Sequence, residues 1–455
     1  MSDDPPAPLV NERPSANLAK QVNAPQSTPD TQIVRLQQKK PTRALSLRTA
    51  ALFVSASIAL AAKWSYGAPE TFDPSDFKAR TEHILSTTPL IDGHNDLPYL
   101  FRLQLDNKIY DQEFSFQTGL GSHTDLKRMR EGRVGGQFWS TFIDCPDIVH
   151  MDDPNHAVRD TLEQIDVAKR LIAEVPDLEF CDNSKCARRA FKQGKIPSML
   201  GAEGLHQVGS ALAVIRQFHS LGLRYITLTH NCDNAFATAA TTVTETGKDS
   251  GLSEFGVEAI KEMNRLGIMV DLAHVSHRTM LEALDVTRAP VILSHTGCHA
   301  LAKSNRNVPD SVLRRLPSNG GVAMIYFVRK FIKPDDPDKA SVDDVVDHIL
   351  HVVKVAGWDH VGIGGDFDGT GYVVHGLEDV SKYPRLIEAL LRRGATDEQV
   401  KKLAGENILR VWRQNEIVSE TMKKAMKPVE AVWEGRQPSA SFEGSALLPR
   451  LKPHY

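Results

Sequence analysis

The sequence predicts an α/β protein built as a (β/α)8 barrel, and three observations carry that expectation. About eight short apolar runs of strand character are separated largely by segments of helical period. The runs are nearly continuous in their hydrophobicity, as in a parallel sheet covered on both faces by helices. Ionisable residues stand at or just after the C-terminal ends of six of them: His94 with Asp96, Glu203, His230, His274, His295 and Asp366. An open doubly wound sheet would spread those ends along a line, whereas a closed barrel gathers them at one mouth.

The elements follow in order. Asp73 to about Thr88 has helical spacing with alternating charges. The first strand, Pro89 to His94, runs into Asn95-Asp96. Residues two apart on an extended chain share a side, so His94 and Asp96 leave one strand end together, as a metal site needs. The alternative is a polar turn in which Asp96 caps the next helix. Val134 to Phe142 is the second strand, Thr161 to Ile172 a helix, and Ile196 to Gly204 the third strand, ending at Glu203. Ala211 to Leu221 is a helix and Tyr225 to His230 the fourth strand. Ser253 to Leu266 is an amphipathic helix that begins on a capping serine and stops at Gly267. Ile268 to His274 is the fifth strand, Ser276 to about Val286 a helix, and Pro290 to His295 the sixth strand. Gly320 to Phe327 is the seventh strand, Ser341 to Ala356 a long helix, and His360 to Asp366 the eighth strand. Tyr383 to Arg393 and Asp397 to Arg413 close the series as helices. The barrel domain is therefore expected over 73–415, with 416–455 as a C-terminal extension.

The chain of 455 residues has room for one large domain or two ordinary ones, and its composition is that of a folded protein. A net charge of −3 gives no sign of a nucleic-acid partner. Five cysteines without a Cys-x-x-Cys pair argue against a thiolate zinc knot and say nothing about compartment. Residues 1–43 are rich in Pro, Gln and Ser, have no apolar period and are expected to be a disordered leader with a basic end. Residues 44–65 contain an uncharged run from Thr49 to Ala62. After a basic leader this suits a single-pass membrane anchor with a cytoplasmic N-terminus and an extracytoplasmic barrel. Secretion after signal cleavage and a buried helix are the alternatives.

Taken singly, each polar residue has a structural explanation: His295 as a helix cap, His274 as a buried hydrogen-bonded histidine, Glu203 as a turn carboxylate between glycines. Taken together these explanations weaken. Burying several imidazoles and carboxylates near one point is costly unless they are paired or bound to metal. A nitrogen and oxygen ligand set without thiolate suits Zn²⁺ or a similar divalent ion. There are enough ligands for two ions bridged by a carboxylate, an arrangement that activates water and polarises carbonyls.

An ordered set of stretches from about residue 80 to 413 resembles the membrane, or renal-type, dipeptidases of the zinc amidohydrolase barrel superfamily. The set is Ile91-Asp-Gly-His-Asn-Asp-Leu-Pro98, Val134-Gly-Gly-Gln-Phe-Trp-Ser140, Glu203-Gly204, Leu223-Arg-Tyr-Ile-Thr-Leu-Thr-His-Asn-Cys232, Asp271-Leu-Ala-His-Val-Ser276, Ala289-Pro-Val-Ile-Leu-Ser-His295, Arg306-Asn-Val-Pro-Asp310, Gly362-Ile-Gly-Gly-Asp-Phe-Asp-Gly369 and Gly376-Leu-Glu-Asp-Val-Ser-Lys-Tyr-Pro384.

The resemblance implies a binuclear zinc metallopeptidase that hydrolyses dipeptides through a metal-bridging hydroxide. His94, Asp96 and Glu203 would hold one Zn²⁺, and Glu203, His274 and His295 the other. His230 would face the substrate and stabilise the oxyanion, and Arg306 would bind the dipeptide carboxylate. Asp366 would pass a proton from the attacking water to the leaving amine or hold the substrate ammonium. The resemblance also implies a Cys145–Cys232 disulfide and a homodimer, whereas the substrate-side tyrosine that relatives carry after strand seven has no fixed register here, in Tyr326-Phe327-Val328. Cys181 and Cys186 sit in an insertion, where they either pair locally or stay reduced. Two other functions compete. One is a hydrolase of the same site tailored to Cys-Gly conjugates or β-lactams. The other is a non-catalytic membrane receptor on a retired barrel, against which stands the presence of all five ligand residues.

Overall fold

The computed structural model describes residues 73–110, 114–145 and 156–435. The leader, the apolar segment 44–65 and the second half of the C-terminal extension, 436–455, lie outside them. Among the described residues no helix is long and apolar enough to cross a membrane.

Among the described residues nine strands form one parallel sheet: β1 (Leu90–Asn95), β2 (Val134–Ser140), β3 (Leu178–Phe180), β4 (Ile196–Glu203), β5 (Leu223–Thr227), β6 (Met269–Asp271), β7 (Ile292–Thr296), β8 (Val322–Ile325) and β9 (Val361–Ile363). The sheet order is β2-β1-β9-β8-β7-β6-β5-β4-β3, and β2 also pairs with β4. That extra pairing, Gln137 with Ser198 through Ser140 with Gly201, closes eight strands into the expected barrel. The ninth, β3, is the strand that the sequence does not announce. It has three residues, Leu178-Glu-Phe180, and lies beside the start of β4, whose later half pairs with β5. A run this short carries no period that separates strand from loop.

Along the barrel strands apolar residues alternate between two clusters, as the two-residue strand repeat requires. Leu90, Trp139, Leu200, Val270 and Leu293 pack in the large cluster that includes the surrounding helices. Their neighbours Ile91, Phe138, Met199, Met269 and Ile292 form the smaller, inner one. This inner cluster is continued by Trp412, whose ring lies 5.7 Å from that of Phe138. Trp412 belongs to the helix Asn407–Ala425, which was expected to stop at Arg413 and instead runs twelve residues further, across the expected boundary at 415–416. Its extra turns are held by burial, since Asn415, Ser419 and Met422 are buried and Ser419 Oγ donates to the carbonyl of Arg265. No Gly or Pro falls between Arg413 and Ala425 to stop it.

Most strands end earlier than expected, and three of the candidate site residues sit beyond them. β5 ends at Thr227, β6 at Asp271 and β9 at Ile363, so His230, His274 and Asp366 stand on loops three residues past a strand end. At His274 and Asp366 the backbone is left-handed, with φ of 62° and 61°. Such a conformation costs a non-glycine residue about 1–2 kcal/mol and re-aims its side chain.

Candidate active site

The barrel mouth opens into a cavity of about 770 Å³ lined by Asp96, Glu203, His230, His274, Arg306 and Asp366, among others. The first ligand pair comes from one strand end. His94 lies within β1, and Asp96 follows it at the N-cap position of the helix Leu97–Leu105. Asp96 makes no side-chain cap bond there, which sets aside the capping alternative. Its Oδ2 lies 3.2 Å from His94 Nε2 instead. Glu203, the last residue of β4, is the hub. Its Oε1 is 2.9 Å from His274 Nε2 and 3.1 Å from His295 Nε2, and its Oε2 is 3.5 Å from His94 Nε2. Two overlapping ligand sets result, His94–Asp96–Glu203 and Glu203–His274–His295, each with ligand atoms within 4.8 Å of one another. Asp366 forms a third close set with His94 and His295. All these side chains are thus brought together from β1, β4, β7 and the loops after β6 and β9, segments far apart in the chain that the closed barrel gathers at one mouth.

The hydrogen bonds behind the imidazoles test whether this set suits a cation. Ser294 Oγ donates to Asp271 Oδ2 at 2.6 Å, so its proton is committed and its oxygen accepts from His295 Nδ1–H at 2.9 Å. Asn231 Oδ1, an acceptor only, lies 3.0 Å from His274 Nδ1, which must then carry the proton. Both Nε2 atoms therefore present lone pairs, yet they lie 3.1 Å apart and face a carboxylate oxygen. Acceptors crowded on acceptors need a positive charge between them, which a bound cation would supply. His94 is held from behind by Tyr225, whose hydroxyl is 2.9 Å from Nδ1, and its buried Nε2 has no hydrogen-bond partner. Burial, aided by Arg306 and the neighbouring histidines, also holds His274 and His295 well below the ordinary imidazole range, in the neutral form that ligates metal.

Two glycines make room for this arrangement. A Cβ at Gly201 would fall inside the Tyr225 ring, 2.1 Å from Cζ, so the tyrosine reaches His94 only past a bare backbone. A Cβ at Gly369 would lie 2.2 Å from Asp96 Oδ2 and 2.6 Å from Asp366 Oδ1.

Around the ligand set, His230 Nε2 lies 4.0 Å from Glu203 Oε2, and its ring packs against Phe142 at 4.4 Å. Burial, then the charges of His206 and Arg306, keeps this histidine well below its usual value and neutral. A Cys145–Cys232 disulfide ties the segment after β2 to the loop that carries His230. Cys181 and Cys186 pair locally, and Cys298 is buried and free. Arg306 is buried on the loop after β7, with Nη1 donating to the carbonyl of His295 and its guanidinium 5.6 Å from the centre of the Tyr326 ring. Burial and the nearby Asp96 and Glu203 push the carboxyl of Asp366 up to about 8.

Tyr326, whose register the sequence leaves open, does not face the cavity. Tyr326 is fully buried and donates to Asn307 Oδ1, while Val328 and Phe331 line the cavity on that side. Sequence reasoning also gave no role to Tyr225, Asn231, Asp271 and Ser294. The available signal was Asp271, a carboxylate inside the apolar run Ile268–Ala273, which is costly without partners. It has four: Thr227 Oγ1, Ser294 Oγ and the backbone N–H groups of Ala273 and Ser294. Because Ser294 fixes the tautomer of His295, Ser294→Ala should weaken the affinity for a divalent metal ion by about 10–100-fold, measured by competition with a chromogenic chelator. An unchanged affinity would remove Ser294 from this role.

A closed parallel barrel with a carboxylate shared between two imidazole-bearing ligand sets at its mouth defines the class: a metallohydrolase-type barrel. The chain belongs to the membrane dipeptidase family, peptidase family M19, whose model matches residues 78–426. It is 54% identical over 365 residues to a Schizosaccharomyces pombe protein named Uncharacterized dipeptidase C965.12, covering 79% of this chain and 88% of that one. It is 43% identical over 368 residues to Dipeptidase tcpJ of Claviceps purpurea, covering 80% and 85% of the two chains. Among solved structures it is similar to a Rhodobacter sphaeroides metallopeptidase liganded with a phosphinate mimic of the dipeptide L-Ala-D-Ala. The TM-score is 0.63 at 25% identity, over 72% of this chain and 99% of that one.

Proposed function

We propose that the protein is a zinc-dependent dipeptidase that holds two Zn²⁺ ions at the barrel mouth. The observation that carries this is the position of Glu203, with one carboxylate oxygen toward His274 and His295 and the other toward His94 beside Asp96. His94, Asp96 and Glu203 would hold one ion and Glu203, His274 and His295 the other. Zinc when bound would polarise the peptide carbonyl and lower the pKa of water.

The remaining work falls to the chain. Arg306 meets the C-terminal carboxylate of the dipeptide with a planar guanidinium, which matches that group bidentately. His230, neutral through burial, donates a hydrogen bond to the oxygen on which negative charge develops. Asp366, inside the same set, would be ionised with cations bound beside it, and would then take a proton from the attacking water and deliver it to the leaving amine. Asp366 is also the group at this mouth that could hold the substrate ammonium, and with Arg306 on the carboxylate both termini then have a partner there, which disfavours longer peptides. The two disulfides support a barrel that matures in an oxidising, extracytoplasmic compartment.

Chelation of the purified protein should abolish hydrolysis of free dipeptides, and added zinc should restore it. Full activity in metal-free protein, or equal activity on dipeptides and on their N-acetylated or amidated forms, would overturn the proposal.

A further inference from the structure

Three cations follow one another closely in the segment after β8: Arg329, Lys330 and Lys333. Two of them are neutralised by carboxylates of the protein itself. Arg329 pairs with Asp338 at 3.2 Å and lies over the ring of Tyr372 at 4.7 Å. Lys333 pairs with Asp344 at 2.7 Å. Only Lys330 lines the active-site cavity, and among the described residues it has no carboxylate partner; its ammonium rests 4.8 Å from the centre of the Phe331 ring. An exposed lysine without a partner is ordinary on an open surface. Inside a substrate cavity its position has consequences.

That position is on the wall of Arg306. The Arg306 guanidinium faces the Tyr326 ring, Tyr326 stacks on Phe331 with ring centres 5.9 Å apart and planes 12° apart, and Lys330 covers Phe331. One rigid pair of aromatic rings therefore carries a buried guanidinium at one end and a flexible ammonium at the other. The buried guanidinium also has no carboxylate partner among the described residues, so this wall offers two positive groups to whatever enters. On the dipeptidase reading, Arg306 fixes the C-terminal carboxylate, and the side chain of that C-terminal residue then lies along the same wall.

We infer that Lys330 is a specificity-determining residue and that the preferred substrates are dipeptides whose C-terminal residue has an acidic side chain. The inference rests on the proposed dipeptidase activity and names its substrate class. Lysine suits the task because a strongly hydrated point charge on a four-carbon stem follows carboxylates at either aspartyl or glutamyl reach. An exposed ion pair contributes up to about 1 kcal/mol, so the discrimination is modest and sensitive to salt.

The test uses the full-length zinc-loaded enzyme and isosteric substrate pairs, Ala-Glu against Ala-Gln and Ala-Asp against Ala-Asn, with Ala-Leu as reference. In the wild type kcat/KM should favour the acidic member by about fivefold at low ionic strength, mostly through KM. Raising the salt should shrink the ratio toward one. Lys330→Gln should remove the preference, and Lys330→Glu should invert it and favour Ala-Lys. Arg329→Gln removes a charge one residue away, outside the cavity, and should keep the wild-type ratio. Equal rates on acidic and amide members by the wild type would overturn the inference while leaving the dipeptidase reading intact. A preference that survives Lys330→Gln, or that Arg329→Gln removes equally, would also overturn it. No hydrolysis of any dipeptide, Ala-Leu included, would defeat both.

Discussion

Glu203→Gln should lower kcat/KM for dipeptides by at least about 10³ and, on the proposed two-zinc site, leave the purified variant with one zinc per chain or none. The size of the effect follows from the placement of this one side chain. The two ligand sets share Glu203 and nothing else, so losing its charge weakens both together. Glutamine keeps the volume but offers one neutral carbonyl oxygen and an amide that donates. Placed where the carboxylate now stands, the amide NH₂ would sit against imidazole lone pairs whose tautomers are already fixed by Asn231 and Ser294. It would satisfy a histidine as a hydrogen-bond donor and so compete with the cation for it. Folding should survive, because a buried carboxylate that lacks its counter-ion costs stability through desolvation, and glutamine removes that cost. The thermal midpoint of chelated Glu203→Gln should therefore equal or exceed that of chelated wild type, while the rise on adding zinc disappears. A variant that retains two metals and near-wild-type turnover would refute the shared-carboxylate arrangement.

The reasons that Glu203 was visible in the sequence also explain what was not. Its strand, Ile196–Glu203, is a continuous buried run, and a lone carboxylate at the end of such a run has few structural uses. The same logic exposes His94, His274 and His295, because each breaks or ends an apolar run at a cost that some partner must offset. Convergence was inferable from parallel topology, since a closed barrel leaves one mouth for every strand end. The groups that orient the ligands were less legible. Ser294 and Asn231 look like ordinary polar neighbours, and their value lies in a proton position that depends on Asp271 and His274 from other segments. Tyr225 is hidden for another reason: its hydroxyl reaches His94 through the space left by Gly201, a contact between three strands. Tyr326 shows the converse. A tyrosine at about the expected place is present, but two residues of register decide that Val328 lines the cavity and Tyr326 lies buried. Strand β3 and the long closing helix are set by packing, through Ser198 beside Phe180 and Ser419 beside Arg265, rather than by any local period.

Arg306→Ala should reduce kcat/KM for free dipeptides by about 10²-fold or more, chiefly by raising KM. A buried guanidinium facing a carboxylate forms two charge-assisted hydrogen bonds, and removing it leaves the substrate carboxylate desolvated without a partner, a loss of about 2–5 kcal/mol. The competing explanation is structural. Arg306 Nη1 donates to the backbone carbonyl of His295, so its loss also disturbs a proposed metal ligand. The two explanations predict different substrates to suffer. If Arg306 acts on the carboxylate, dipeptide amides, already poor substrates, lose little further activity in the variant. If it acts through His295, the metal-dependent step slows for every substrate, zinc affinity falls, and kcat carries the loss. Arg306→Lys separates them again: it restores a positive charge without the planar fork, so it should recover part of the KM for free dipeptides. Equal losses on free and amidated dipeptides, with zinc released more readily, would remove Arg306 from substrate recognition and assign it to holding His295.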